Sequence, residues 1–280
     1  MNIIDAHAHV WTPDTVHYPL AKSYKKEDMN PPSFTAEELL KHAKPAGVQR
    51  VNLIQMSFYG FDNRYMLDMI GAHKGIFVGT AVIDPNGEAP DRLMTDMAKQ
   101  GVRAFRILPR LTGAPAAKWL QSSGYEKMFA QAAKNNQAIS CLIDPECLPE
   151  VDRMCRKYPS TPVIIDHLAR VGVSGTINDE DVKALCDLAK HKRVMVKVGA
   201  FYALGRKKPP YDDLAGLIEK VVKTYGPDRC MWESDSPFQV MGEHSYKASV
   251  ELVRTRLKFL SDADREWLLR KTAEAFFFPA

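Results

Sequence analysis

The chain has 280 residues, long for one layered domain and ordinary for a single closed α/β barrel. Its 45% hydrophobic and 26% charged content supports a large core beneath a solvated surface, and its net charge of +4 comes without a basic run or interleaved aromatics, which argues against nucleic acid as a partner. No uncharged apolar run is long enough for a membrane span, and the start, Met1-Asn2-Ile3-Ile4-Asp5, is unlike a signal peptide, so the chain reads as cytoplasmic. Five scattered cysteines without a CxxC pair read as reduced thiols, several of them in the core.

Short β-branched segments alternate with stretches of helical period. The first, over 2–6, leads into Asp5-Ala6-His7-Ala8-His9. Residues two apart on an extended strand share a face, so His7 and His9 project together and can reach one metal ion or one substrate oxygen. Trp11 offers an apolar wall ahead of a proline-containing loop over 12–32, and Thr35-Ala36-Glu37-Glu38 is a capping box that starts a helix. A second strand over 50–55 brings Gln55, with Ser57 and Tyr59 beyond it, as hydrogen-bonding liners of a site. A third spans 76–82. The fourth, over 102–107, carries Arg106, with Arg110 just past it; guanidinium forks suit carboxylates, or lie in solvated ion pairs. A fifth covers 138–143. The sixth, over 162–166, ends in Asp166-His167, followed by Arg170; Asp166 either orients a ring or caps the loop. A helix over 179–190 aligns Val182, Leu185 and Ala189 on one face. The seventh strand, 194–198, contains Lys197 and precedes Tyr202, a further liner. A helix over 214–225 stops at Gly226-Pro227. The eighth strand, 230–234, delivers Asp235, a carboxylate able to take a proton from water or to ligate a metal. Residues 245–278 read as two closing helices ending in Phe276-Phe277-Phe278, either a hydrophobic plug or a subunit contact of a homo-oligomer.

Eight strand–helix units predict an α/β fold: one (β/α)8 TIM barrel over residues 1–280 with C-terminal helices. Its active site belongs at the C-terminal ends of the strands, where His7, His9, His167 and Asp235 all fall.

Three motifs in order carry a resemblance: Asp5-x-His7-x-His9, Asp166-His167, and Ser234-Asp235-Ser236-Pro237. Together they resemble the amidohydrolase-related family over nearly the whole chain, most closely its lactonase branch, which includes sugar-acid and pyrone-dicarboxylate lactonases. The resemblance implies a hydrolase of a small anionic molecule, a carboxylated or sugar-acid lactone, with His7, His9, His167 and Asp235 catalytic and Asp235 activating water. It also implies either one divalent ion, zinc or manganese, on His7, His9 and Asp235, or catalysis without metal. The strand-five histidine of the family's metal-dependent decarboxylases is missing, which counts against the alternative of non-oxidative decarboxylation of an aromatic or unsaturated acid. A non-catalytic ligand-binding barrel is the second alternative. Glu233 departs from the family's usual small residue and reads as an extra ligand, a partner raising the pKa of Asp235, or a buried partner of Lys197. The lysine itself matches the family, whereas Val198-Gly199-Ala200 replaces its usual Leu-Ser-Gly.

Overall fold

The computed structural model describes residues 2–111 and 113–279, the side chain of Arg110 excepted. Eight strands, β1 (Ile3–Ala8), β2 (Val48–Ile54), β3 (Phe77–Ala81), β4 (Val102–Ile107), β5 (Ala138–Cys141), β6 (Val163–Ile165), β7 (Val194–Val198) and β8 (Cys230–Trp232), pair in chain order. All seven pairings are parallel. The ring closes beyond β8, where the His9 N–H donates to Ser236 O at 2.7 Å and the Asp235 N–H donates to His7 O at 2.9 Å. Those two bonds set the first and last motifs side by side.

The connecting helices are α1 (Ala36–Ala43), α2 (Arg64–Ala72), α3 (Pro90–Ala98), α4 (Ser123–Asn135), α5 (Leu148–Lys157), α6 (Asp179–Asp187) and α7 (Ala215–Tyr225). The capping box forms as its residues dictate: Thr35 Oγ1 accepts from the Glu38 N–H and Glu38 Oε2 accepts from the Thr35 N–H. Helix α7 ends at Gly226, whose φ of 89° few other residues adopt. A Cβ on Gly199 would lie 2.3 Å from the Glu233 backbone oxygen, so glycine is what lets the tips of β7 and β8 approach.

The C-terminal segments α8 (Tyr246–Glu251), α9 (Asp262–Glu266) and α10 (Thr272–Phe277) form two helical runs separated near residue 260. Phe277 is fully buried against Ile4, Ala6 and Met231. It is the plug expected of the triple phenylalanine, while Phe278 lies beneath the Arg50 guanidinium, 4.8 Å from its ring centre. All five cysteines are free and buried. Among the described residues no helix is long and apolar enough to cross a membrane.

Candidate active site

Strand periodicity and barrel closure bring His7, His9 and Asp235 to one point. His7 Nε2 and His9 Nε2 are 3.3 Å apart, and Asp235 Oδ1 lies 3.4 Å from the first and 3.2 Å from the second. His9 Nδ1 sits 3.0 Å from Ile54 O. A carbonyl only accepts, so that nitrogen carries the proton and, in the neutral ring, Nε2 presents a lone pair. Burial lowers the His9 pKa and favours this neutral form. Asp235 adopts φ 60°, tolerated by aspartate better than by most residues, and this turns its carboxylate inward. Its Oδ2 accepts the Tyr202 hydroxyl at 2.6 Å, while Oδ1 is buried with no hydrogen-bond partner.

Beneath this floor lies a layer of paired charges. Lys197, fully buried, places Nζ 3.0 Å from Asp166 Oδ1 and 3.1 Å from His7 Nδ1. Asp166 also accepts from Ser140 Oγ at 2.8 Å and from Arg106 Nε at 3.3 Å. Burial would raise its pKa, but Lys197, His7 and Arg106 hold it well below the usual carboxylate value. The same burial, with Lys197 adding to it, keeps His7 neutral. Glu233 Oε1 lies 2.5 Å from His167 Nδ1 and its Oε2 lies 3.2 Å from His7 Nδ1. Burial raises the pKa of Glu233, and repulsion from the neighbouring Asp235 carboxylate adds to the rise. Burial pushes Asp235 up as well, but His167 and the His9 contact outweigh this and bring it below its ordinary value. The pairing of Glu233 with Lys197 is corrected, because that lysine's carboxylate partner is Asp166.

His167 reaches the floor through an irregular turn. His167, Leu168, Ala169 and Arg170 all have φ between 53° and 57°, a left-handed run that costs roughly 1–2 kcal/mol per residue. Burial lowers its pKa, but Glu233 and Asp235 raise it above the ordinary histidine value. Below the rim, Asp5 accepts from the His7 N–H at 3.0 Å, the Ser234 N–H at 2.9 Å, Ser234 Oγ at 2.5 Å and the Tyr246 hydroxyl. This buried carboxylate ties the first motif to the last. Sequence reasoning placed Asp5 in the first motif but gave it no role, and it did not single out Ser140 or Tyr246, which carry no signal of their own.

A cavity of about 670 Å³ opens over the floor. His9, His167, Asp235, Arg106, Tyr202, Gln55 and Arg170 all line it. Gln55, expected to meet substrate through its amide, donates Nε2 to Asp62 O at 2.7 Å instead, which holds the following loop. Arg170 pairs with Asp144 at 2.9 Å. Trp11 and Tyr59, expected as liners, stand apart from the cavity. The Trp11 indole N–H donates to Pro31 O at 2.8 Å and the Tyr59 hydroxyl accepts the Thr12 N–H at 3.0 Å, so both pin the loop after β1. The side chain of Arg110 lies outside the described residues.

The floor suits a metal ion. Two imidazole nitrogens and a carboxylate oxygen converge, one of the nitrogens bare and the oxygen without a hydrogen bond, an arrangement that a divalent cation such as zinc or manganese satisfies. Glu233 Oε2, 3.2 Å from His7 Nδ1 and itself without a hydrogen-bond partner, attracts the ring proton to Nδ1, which leaves His7 Nε2 as the third bare donor.

Known proteins bear on this arrangement. The 4-sulfomuconolactone hydrolase of Rhizobium radiobacter is 26% identical over 235 residues, covering 83% of this chain and 75% of that protein. The L-fucono-1,5-lactonase of Burkholderia ambifaria is 26% identical over 247 residues, covering 86% and 82%. Among solved structures, a candidate 2-pyrone-4,6-dicarboxylic acid hydrolase of Pseudomonas putida matches with a TM-score of 0.82 at 24% identity over 99% of this chain and 97% of that one. An amidohydrolase of Burkholderia multivorans with bound zinc matches with a TM-score of 0.83 at 18% identity over 99% of each chain. These structural likenesses establish the barrel. The amidohydrolase family model matches residues 4–278, from β1 to just past α10. A match that takes in all eight strands and the closing helices carries one conclusion: the chain belongs to the amidohydrolase family.

Proposed function

We propose that the chain opens the ring of a small lactone, carboxylated or derived from a sugar acid, with water deprotonated by Asp235. The observation that carries this reading is the unbonded, buried Asp235 Oδ1 at the floor of a cavity sized for a small organic molecule. The relatives named as lactone hydrolases support it. Five buried free thiols support work in a reducing, cytoplasmic setting.

Asp235 takes a proton from water as the water oxygen bonds to the lactone carbonyl carbon. The carbonyl becomes an oxyanion, steadied by the Arg106 guanidinium at the cavity. The ring C–O bond then breaks and the departing alkoxide takes a proton from Asp235 or His167. The product is a hydroxy acid, which at neutral pH releases one proton. His7, His9 and Asp235 would hold a divalent ion, whose chemistry when bound is to polarise the carbonyl and acidify water.

The test is a pH-indicator assay over sugar-acid and carboxylated lactones, run on chelator-treated and zinc-loaded protein side by side. Acid release is expected, and Asp235→Asn should lower it by about 10²–10⁴-fold while the hydroxy-acid product still binds. Undiminished turnover in that variant removes Asp235 as the base. Absence of acid release from every lactone overturns the reading.

A further inference from the structure

Much of the cavity above the floor is walled by hydrocarbon. The loops after β1 and β2 line it with Ala21, Met56 and Phe61 beside the polar Ser23, Tyr24, Gln55 and Ser57. Around the rest of the rim five successive βα connections each add hydrocarbon beside Arg106, Arg170 and Tyr202: Val82 after β3, Leu108 after β4, Leu142 after β5, Val173 after β6 and Leu204 after β7. Phe61 extends apolar surface to the mouth, 47% exposed and one of few large hydrophobic side chains left open to solvent among the described residues.

The described cations at this cavity are already matched. Arg106 is paired with Asp166 and Arg170 with Asp144. A substrate carrying several carboxylates finds no surplus of positive charge on them. Hydroxyl groups of a polyhydroxylated ring pressed against Val82, Leu108, Leu142, Val173 and Leu204 would find no hydrogen-bond partners on those side chains, and burying such groups is unfavourable. A hydrocarbon group gains instead from leaving water, and about 670 Å³ is far more room than a bare lactone ring fills.

We infer that the substrate is a lactone bearing an extended hydrocarbon substituent, alkyl or aryl, which lies along the wall built by the loops after β3 to β7 while the ring carbonyl faces Asp235. This rests on the lactonase reading but sets its sugar-acid alternative aside, favouring an apolar-bodied lactone with at most one carboxylate over a polyhydroxylated or multiply charged one.

The experiment compares kcat/KM of the zinc-loaded and chelated protein for γ-valerolactone, γ-hexalactone, γ-octalactone and γ-decalactone, with gluconolactone and isocitric lactone as polar references. In parallel, calorimetry measures binding of tetrahydrofurans carrying the same alkyl chains, which contain no ester to open. The expected result is a rise in kcat/KM and in affinity of about three- to fourfold per added methylene until the wall is covered. A flat series in both assays, or faster turnover of either polar reference, overturns the inference and leaves the lactonase reading standing. Affinity that climbs with chain length while no lactone is opened supports the apolar wall and removes the lactonase reading.

Discussion

Glu233 Oε1 and His167 Nδ1 lie 2.5 Å apart at the base of the cavity, the carboxylate fully buried and the ring nearly so. Glu233 has no contact with solvent to compensate for losing the ring. Removing one member of such a pair costs about 3–5 kcal/mol, because an uncompensated charge stays behind. His167→Ala should therefore destabilise the fold by that amount in urea unfolding, and adding Glu233→Ala should recover part of the loss. Two independent, additive losses would show that the pair is not coupled.

His7 Nδ1 has two neighbours that ask opposite things of it. Glu233 Oε2, at 3.2 Å and without a hydrogen-bond partner, attracts a proton to Nδ1 by its charge and leaves Nε2 bare, whereas Lys197 Nζ, at 3.1 Å, can donate to it and leave the proton on Nε2. Zinc affinity should then move in opposite directions: down by about 10–100-fold in Glu233→Gln and up in Lys197→Met. Competition against a chromophoric chelator reads both. Movement in the same direction would dismiss this control of the tautomer.

Asp5 gives a pH dependence of definite sign. Burial pushes its pKa from 3.8 to about 6 against the pull of its hydrogen bonds from Ser234, Tyr246 and His7. The folded chain thus holds this proton at pH values where the unfolded chain has released it. The stabilisation is complete below about pH 4 and is lost as pH rises through 6. The difference in unfolding free energy between the wild type and Asp5→Asn should shift against the wild type by about 3 kcal/mol across that window. Taking the difference cancels the depressed carboxylates, chiefly Asp166 and Asp235, whose stabilisation runs the other way. A constant difference from pH 4 to pH 7 would contradict the assignment.

Phe277 closes the end of the barrel opposite the cavity, within the cluster of Ile4, Ala6, Ile164 and Met231. Phe277→Ala should cost about 3–5 kcal/mol in denaturant unfolding. Under conditions where the variant remains folded, kcat should match that of the wild type. A large fall in kcat would mean that the plug and the floor communicate.

The barrel was legible because its signals are local. β-branched runs, the capping box at Thr35 and the stop at Gly226-Pro227 each depend on a few neighbouring residues, and together they placed all eight strands. Period-two spacing likewise paired His7 with His9, and strand-end position found Asp235. Boundaries were read less well: β1 continues to Ala8 rather than ending at residue 6, and β8 stops at Trp232 because the chain turns to aim Asp235 inward. Partnerships across the barrel were not legible. Lys197 read as a partner of Glu233 but pairs with Asp166, and the left-handed run from His167 to Arg170 that follows this aspartate contains no glycine to announce it. Trp11 and Tyr59 looked like liners because they follow strands one and two, but sequence position gives no measure of how far a loop folds back over them. Gln55 does face the cavity, yet its amide is drawn off by the carbonyl of Asp62, seven residues ahead.

The floor and the wall have different origins. Strand tips, fastened by Asp5, Lys197 and Glu233, hold the reacting groups, while each patch of the wall is donated by its own connection between a strand and a helix. A substitution at Leu108, Leu142 or Leu204 therefore alters one panel without loosening the others or the chemistry below. The molecule behaves as a fixed workbench with interchangeable fittings, and a change of diet is open to it one loop at a time.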